Sequence, residues 1–511
     1  MYENSFANIL HFLENRKSLL RFLLKKATFY TLLYEERQQN QPFFSTFAPM
    51  KAKRDNYTFL TEGPIHQVIF TMAIPTIISM LSTSMYNLAD TYFVGSINTQ
   101  SVAAVGVSFA MMSVVQAVGF FYGHGAGNYV SRQLGAKHQE NAEKMAATGV
   151  VLSFLTGLLI AIVGHIFLTS LCTGLGSTPT ILPYTERYLG IILLGAPLMT
   201  TSLTLNNLMR FQGNTIYAMK GIMSGVLLNL ILAPLLILYF EMGITGAAIA
   251  TLISQCFGCL MLLWMTTKGQ NIRIRLRNFS PTKGYLKEIV FGGTPSLSRQ
   301  GLGSISTLML NVAAGVYGDA AIAGMSIVTR ICFFTYAVVI GLGQGFQPLC
   351  GFCYGAKLYA RVRDAFYFCI KCGTIFLCIC AIIGFVFAEN IVELFRSDPD
   401  VVSVGAMAQK WQVISFPLVT TIVLTNMLMQ TIRKPVRANL VAAARSGLFF
   451  IPLIFILPHF FGLLGVEMCQ AWADVCSFSL AVPIAWSAFR DMRRMKAMER
   501  AGERAVEERE S

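Results

Sequence analysis

The chain reads as an all-α integral membrane protein with twelve transmembrane helices in two pseudo-symmetric six-helix lobes. Three observations carry this reading. Of 511 residues, 54% are hydrophobic and only 13% charged, whereas a soluble domain is about a quarter charged. Lysine and arginine gather in alternate loops, as they do when short cytoplasmic loops retain positive charge. The two halves also repeat at a fixed separation.

Residues 1–62 form an N-terminal extension expected in the cytoplasm. Its stretch "LHFLENRKSLLRFLLKKATFYTLLYEERQQN" lacks a long apolar core and a small-residue cleavage site, so it is no standard signal peptide. It reads either as a basic amphipathic helix on the inner membrane surface or as a start-site artefact, because Met50 opens "MKAKRDNYTFLTEGPI", an ordinary basic start. Apolar spans follow near 68–95, 102–130, 145–170, 184–208, 217–240 and 246–267, which make the first lobe of residues 63–280 with its linker. Spans near 287–316, 321–349, 365–390, 405–429, 438–458 and 464–489 make the second lobe, 281–490. Each is long enough to cross the roughly 30 Å hydrocarbon layer as a helix. Residues 491–511 are a mixed-charge cytoplasmic tail.

One set of loops carries Arg132, Lys137 and Lys144, then Arg210 and Lys220, then the linker "KGQNIRIRLRNFSPTKG", then Lys357, Arg361 and Arg363, and finally Arg433, Lys434 and Arg437. The alternate set offers only Arg396. Both termini are therefore expected in the cytoplasm, of a bacterial inner (plasma) membrane. The net charge of +14 is explained by this bias and by anionic headgroups, so it gives no reason to expect nucleic-acid binding.

The repeat is visible residue by residue. "GHGAGNYVSRQLGAK" at the end of span two answers "GQGFQPLCGFCYGAK" at the end of span eight, with Gly123 and Gly343 separated by 220 (343 − 123). Pro75 and Pro295 keep that spacing, as do Pro197 and Pro417. An even number of helices per unit gives both copies the same orientation, related by an axis along the membrane normal. A cleft between the lobes that opens to either side in turn is the expected pathway. Pro75 and Pro295 each remove an amide donor from a helix that would line it, and so permit a bend.

Span one carries a single carboxylate, Asp90, in "MYNLADTYFVG". Such a residue costs on the order of 2.5–3.5 kcal/mol in the bilayer, so it faces a protein interior or a watery cavity. Its counterpart 220 residues on is Leu310, so the carboxylate has no twin and is a device of the first lobe alone. In a low-dielectric pocket the charged form is disfavoured, which lets the group load and unload a proton as exposure changes. The plainer reading is a satisfied carboxylate holding spans one and five together.

"AIPTIISMLSTSMYNLADTYFVG", "SRQLGAK", "GNTIYAM", "NLILAPLLI" and "GITGAAIATLISQ", followed by the second "GAK" copy, resemble the multidrug and toxic compound extrusion (MATE) family, nearer its DinF-like branch. The resemblance spans about residues 57–490. It implies a secondary antiporter that exports amphipathic, often cationic compounds in exchange for protons or sodium ions. The family's first-lobe cation site then falls on Asp90, Tyr86, Asn229 and Thr251. Where that branch commonly has an aspartate four residues after the span-five asparagine, this chain has Ala233, which leaves one carboxylate and favours a proton over sodium. The span-seven glutamate of the NorM-like branch is also missing from "PSLSRQGLGSIS".

Other polar residues lie deep in spans. Arg299 and its neighbour Gln300 in span seven, Arg330 in span eight and Asp474 in span twelve read either as a buried ion network or as a cleft surface for anionic groups. The second reading would fit a flippase for a lipid-linked anionic precursor, the alternative to drug export. Three C-x-x-C pairs, at 256/259, 350/353 and 369/372, lie within or at the edges of helices with no histidine at ligand spacing, so helix packing is expected rather than metal binding. The same holds for lone His124. No G-x-x-x-x-G-K-[ST] loop occurs. Neither covalent catalysis nor a cofactor is expected beyond the transported H+ or Na+. The expected partners are amphipathic small molecules and membrane lipids, and the expected state is a monomer.

Overall fold

A computed structural model describes residues 55–95 and 97–510; the side chains of residues 86–92, 99, 499, 500 and 502–510 lie outside the description. Seventeen α-helices are formed: α1 Asn56–Glu62, α2 Ile65–Gly95, α3 Thr99–Gly135, α4 Gln139–Ile166, α5 Leu168–Gly174, α6 Leu182–Leu194, α7 Ala196–Phe211, α8 Thr215–Pro234, α9 Gly243–Thr266, α10 Lys283–Gly315, α11 Asp319–Gly355, α12 Tyr359–Val386, α13 Ala388–Glu393, α14 Pro399–Thr431, α15 Pro435–Ala443, α16 Phe450–Phe461 and α17 Leu463–Glu510. No strand is formed among the described residues.

All twelve predicted spans correspond to helical rods. Ten are long and apolar enough to cross a membrane, and α6 with α7, bent by 49°, makes an eleventh. The twelfth, α10, is 33 residues long but carries Lys287, Glu288, Arg299 and a run of serines and glycines, which dilutes its hydropathy. The bend of the fourth span sits at Gly195, just before Pro197. The matching position in the second lobe is Ser415, and there α14 runs through Pro417 as one helix. Spans five and eleven each contain one π-helical turn, Leu235–Tyr239 and Ala444–Leu448.

The 220-residue period holds in three dimensions. Helices α3 and α11 begin at Thr99 and Asp319, α4 and α12 at Gln139 and Tyr359, α8 and α15 at Thr215 and Pro435. The corner after each "GA" is made alike: Lys137 and Lys357 both adopt φ of 62°. This left-handed residue lets the next amide reach back to the helix end, His138 N to Gln133 O at 2.8 Å and Leu358 N to Cys353 O at 2.7 Å. Pro75 cannot donate to the carbonyl of Thr71, and that carbonyl instead accepts from Thr215 Oγ1 at 3.3 Å, so α2 continues unbroken.

The lobes meet through their inner helices, α2 against α11 and α3 against α10. Packing between them is concentrated at the end that carries the basic loops. There, one apolar cluster joins Val68, Met72 and Ala73 of the first lobe to Phe346, Leu349 and Leu428 of the second. Another joins Met145 and Leu208 to Ile289. Toward the opposite end each lobe packs on itself, the first around Val94, Tyr188 and Ala247, the second around Met325, Phe416 and Cys469. Residues 55–62, assigned by sequence to the extension, fold as α1 and its cap across the basic end. Asn56 Nδ2 donates to Gln212 O at 3.0 Å, while the carbonyl of Leu60 accepts from Arg361 Nε at 3.1 Å.

Glycine sets the closeness of this seam. A Cβ on Gly345 would lie 2.7 Å from the backbone of Ala73, and one on Gly292 would lie 2.9 Å from Gly125 Cα. Backbone atoms cannot turn aside as a side chain can. Gly345→Leu is therefore expected to wedge the basic end apart at an overpacking cost of about 1–3 kcal/mol. In a cysteine-free background, Ser131→Cys, buried beside Gly351, should then react with a maleimide roughly five- to a hundredfold faster, because each 1.4 kcal/mol is a factor of ten.

Candidate functional site

The first-lobe site forms where α2, α8 and α9 meet. Asn229 is 3% and Thr251 1% exposed, and Asn229 Nδ2 donates to Thr251 Oγ1 at 3.3 Å. Ala233, one turn on from Asn229, packs into the apolar cluster with Val94, Ile237 and Ala247, so the site gains no second carboxylate at that position. The side chains of Tyr86 and Asp90 lie outside the description; the helix that carries them is continuous to Gly95. Two of the four predicted residues are thus in direct contact.

The seam between the lobes is closed by polar groups as well as by packing. Arg132 on α3 donates from Nη2 to Glu288 Oε2 on α10 at 2.7 Å and from Nη1 to Thr431 O on α14 at 2.8 Å. The other oxygen of Glu288 pairs with Arg433 at 2.6 Å. The Glu288 side chain is 9% exposed and that of Arg132 12%, whereas Arg433 is 54% exposed. Thr431 Oγ1 donates across the same seam to Asn128 Oδ1 at 2.8 Å.

Deeper in, Arg210 on α7 is 2% exposed. Its Nη1 reaches across the lobes to Gln344 O at 3.1 Å and Gln347 Oε1 at 3.4 Å, and its Nη2 bonds Asn207 Oδ1. His124 approaches Phe120 O with Nδ1 at 3.1 Å and Arg210 Nη2 with Nε2 at 3.3 Å. A carbonyl only accepts, so Nδ1 carries the proton and Nε2 takes the bond from the guanidinium. His124, expected to serve packing, also anchors a buried cation. Reading Arg132 and Arg210 as loop charges left their role at the seam unseen. The signal available was position: both lie within the last turn of an apolar helix rather than in the loop beyond it.

The second lobe resolves the predicted ion network differently. Asp474 on α17 is fully buried, and its partner is Arg445 in the π-helical turn of span eleven, Nε to Oδ1 at 2.7 Å. Gln412 at 3.3 Å, Ser415 at 3.0 Å and Gln470 at 3.0 Å complete its acceptor sites, and the Arg445 guanidinium lies 4.3 Å from the Tyr336 ring centre. The network expected to join Asp474 to Arg299 and Arg330 does not form. Asp474 is spent on Arg445, while Arg299 reaches Asn426 Oδ1 at 3.5 Å and Arg330 is exposed. The backbone carbonyl of Gln300 accepts from Ser304. Pro295, like Pro75, is buried within a continuous helix. All twelve cysteines are free, and among the described residues no three metal-ligating side chains converge.

The MatE family model matches residues 75–235 and 295–456, two segments that start 220 residues apart (295 − 75). The chain is 28% identical to a multidrug export protein MepA of Staphylococcus haemolyticus over 85% of its own length and 96% of the relative's. It is 27% identical to MepA of Staphylococcus aureus, over 81% and 92%. Among solved structures, one described as the outward-facing conformation of a multidrug resistance MATE family transporter superposes with a TM-score of 0.81 at 24% identity, covering 87% of this chain and all of that one. A structure described as MATE in the bent conformation gives 0.82, again at 24% identity and over 87% of this chain.

Proposed function

The chain belongs to the MatE family, and from that premise we propose that it is a secondary antiporter. It exports amphipathic, cationic drugs or toxic metabolites in exchange for protons, or for sodium ions, by alternating access. Its place is a bacterial inner membrane, with the basic loops and both termini in the cytoplasm.

The observation that carries this reading is the contrast between the two ends. The lobes are sealed at the basic end by apolar clusters and by the bridge from Arg132 through Glu288 to Arg433, while at the opposite end each lobe packs on itself. With the basic end in the cytoplasm, this is the outward-open state of a two-lobe carrier. Breaking the seam and closing the far end would complete the other half of the cycle.

Coupling is assigned to the first lobe. Asp90 is the titrating group, and the contact between Asn229 and Thr251 holds the neighbouring polar groups of spans five and six in place. Protonation of Asp90 would remove a charge from a low-dielectric site, shift span one and release substrate outward. The buried Ala233 leaves one carboxylate for the ion, which supports protons over sodium.

The test is efflux of a fluorescent cationic dye from proteoliposomes under a proton or a sodium gradient imposed separately. Dye movement driven by one gradient, and lost in Asp90→Asn, is the expected result. A fully active Asp90→Asn protein would remove the coupling role.

A further inference from the structure

The second-lobe wall of the cleft is basic. Helices α10 and α11 touch the first lobe through glycines near the basic end, Gly292 against Gly125 and Gly341 against Ile77. Residues of an α-helix turn by about 100° each and rise about 1.5 Å. Arg299, seven residues on from Gly292, returns to within about 20° of the same stripe, about 10 Å farther from the sealed end. Arg330, eleven residues before Gly341, falls within about 20° of its stripe, about 16 Å farther out. Both side chains therefore leave their helices on the faces that turn toward the first lobe, above the level at which the lobes are joined. Gly303, one turn beyond Arg299, has no neighbouring atom within 4 Å of an added Cβ, as expected where that stripe has reached open space.

Among the described side chains no carboxylate meets these two cations. Among the described residues neither forms an ion pair; Arg299 has one neutral acceptor, Asn426 Oδ1 at 3.5 Å. The buried aspartate of this lobe is taken by Arg445 at 2.7 Å. Below them, Arg210 adds a third positive charge held only by neutral acceptors, with Nε unpartnered. A charge at membrane depth needs a partner or water. Here the groove between the lobes is the place from which a partner can come.

We infer that this wall is an anion-recognition face: Arg299, steadied by Asn426 and aided by Arg330, takes the carboxylate, sulfonate or phosphate group of an amphipathic substrate. A guanidinium presents its donors as a planar fork that fits such groups two at a time. The inference rests on the export reading and widens it to zwitterionic and anionic amphiphiles; the cation site of the first lobe is a separate element.

Rhodamine B and its ethyl ester share one dye skeleton, with the carboxylate free in the first and masked in the second. Binding of each to the full-length purified protein, followed by fluorescence polarisation, separates the roles. Arg299→Gln is expected to weaken the free acid about tenfold or more, since a hydrogen bond to a charged group is worth about 1.5–3 kcal/mol, and to leave the ester unchanged. Arg299→Lys should keep part of the affinity. Ester binding is also the control for folding. Equal weakening of both dyes, or undiminished binding of the acid, would overturn the assignment. Because binding is read without transport, loss of gradient-driven efflux would count against the export reading alone. Undecaprenyl phosphate in nanodiscs serves as competitor: displacement of the acid dye assigns the face to a lipid-borne phosphate, and its failure to displace assigns it to free amphiphiles.

Discussion

Replacing Glu288 by alanine is expected to open the basic end of the molecule. The carboxylate is nearly buried and holds two arginines, Arg132 from the first lobe at 2.7 Å and Arg433 from the second at 2.6 Å. Arg433 is 54% exposed and can turn to water when its partner goes. Arg132 cannot, because its side chain is 12% exposed and still bonded to Thr431 O across the seam. The variant would therefore bury an unpaired cation in the closed state and hydrate it in the open one. Removing one partner of a buried pair costs about 3–5 kcal/mol. At 1.4 kcal/mol per factor of ten, the closed population should fall a hundredfold or more relative to the open one, on the order of what separates two states of such a carrier. Spin labels placed on either side of the seam at the basic end would show the change as a longer distance. The same labels at the far end should approach each other.

A second substitution tells whether charge or bulk is responsible. Replacing both Arg132 and Glu288 with methionine removes the unpaired cation along with its partner, and an apolar pair of similar volume is often neutral. The double variant should close again. If instead Glu288→Ala leaves both distances unchanged, the apolar cluster around Phe346 and Leu349 holds the seam by itself, and the ion bridge serves only to align it.

The large-scale architecture was legible because it depends on sums over many residues. Twelve apolar segments, alternate basic loops and a 220-residue repeat each survive local uncertainty, and the rods begin within a few residues of the predicted spans, Ile65 against 68 and Leu463 against 464. Side-chain partners were less legible, because pairing across spans depends on register and rotation. Asp474 illustrates the difficulty. Arg299 and Arg330 lie deeper in their spans by count, yet the partner is Arg445, and the π-helical turn Ala444–Leu448 that carries it has no plain sequence signature. One clue was present: Arg445 is the one charged residue in the stretch 438–458, directly before the span that carries the aspartate. The seam charges were missed for a different reason. Arg132 and Arg210 obey the positive-inside pattern so well that it explained them away.

Asp474→Ala is expected to loosen the second lobe more than any other single truncation within it. Its two oxygens collect donors from Arg445 in span eleven, Gln412 and Ser415 in span ten, and Gln470 one turn before it in span twelve. Tyr336 of α11 closes the cluster by receiving the guanidinium over its ring and a bond from Gln412 at 2.9 Å. One carboxylate thus ties together spans eight, ten, eleven and twelve. The equivalent positions of the first lobe make no such tie. The positions 220 residues earlier are Gly225 and Ser254, where a Cβ on Gly225 would lie 3.0 Å from Ser254 O, so the helices there close directly through small side chains. Where the second lobe has an arginine in place of that glycine, the helices cannot approach so closely, and the aspartate balances the charge that fills the gap. Truncation leaves Arg445 without a counter-charge at a cost of about 3–5 kcal/mol, which for a unit of this size corresponds to a fall in melting temperature on the order of 10 °C. Joint replacement of Arg445 and Asp474 by leucine should recover most of it. A melt of the purified protein in detergent, followed by tryptophan fluorescence, measures both variants, and equal losses in the single and the double would mean that packing volume matters here more than charge.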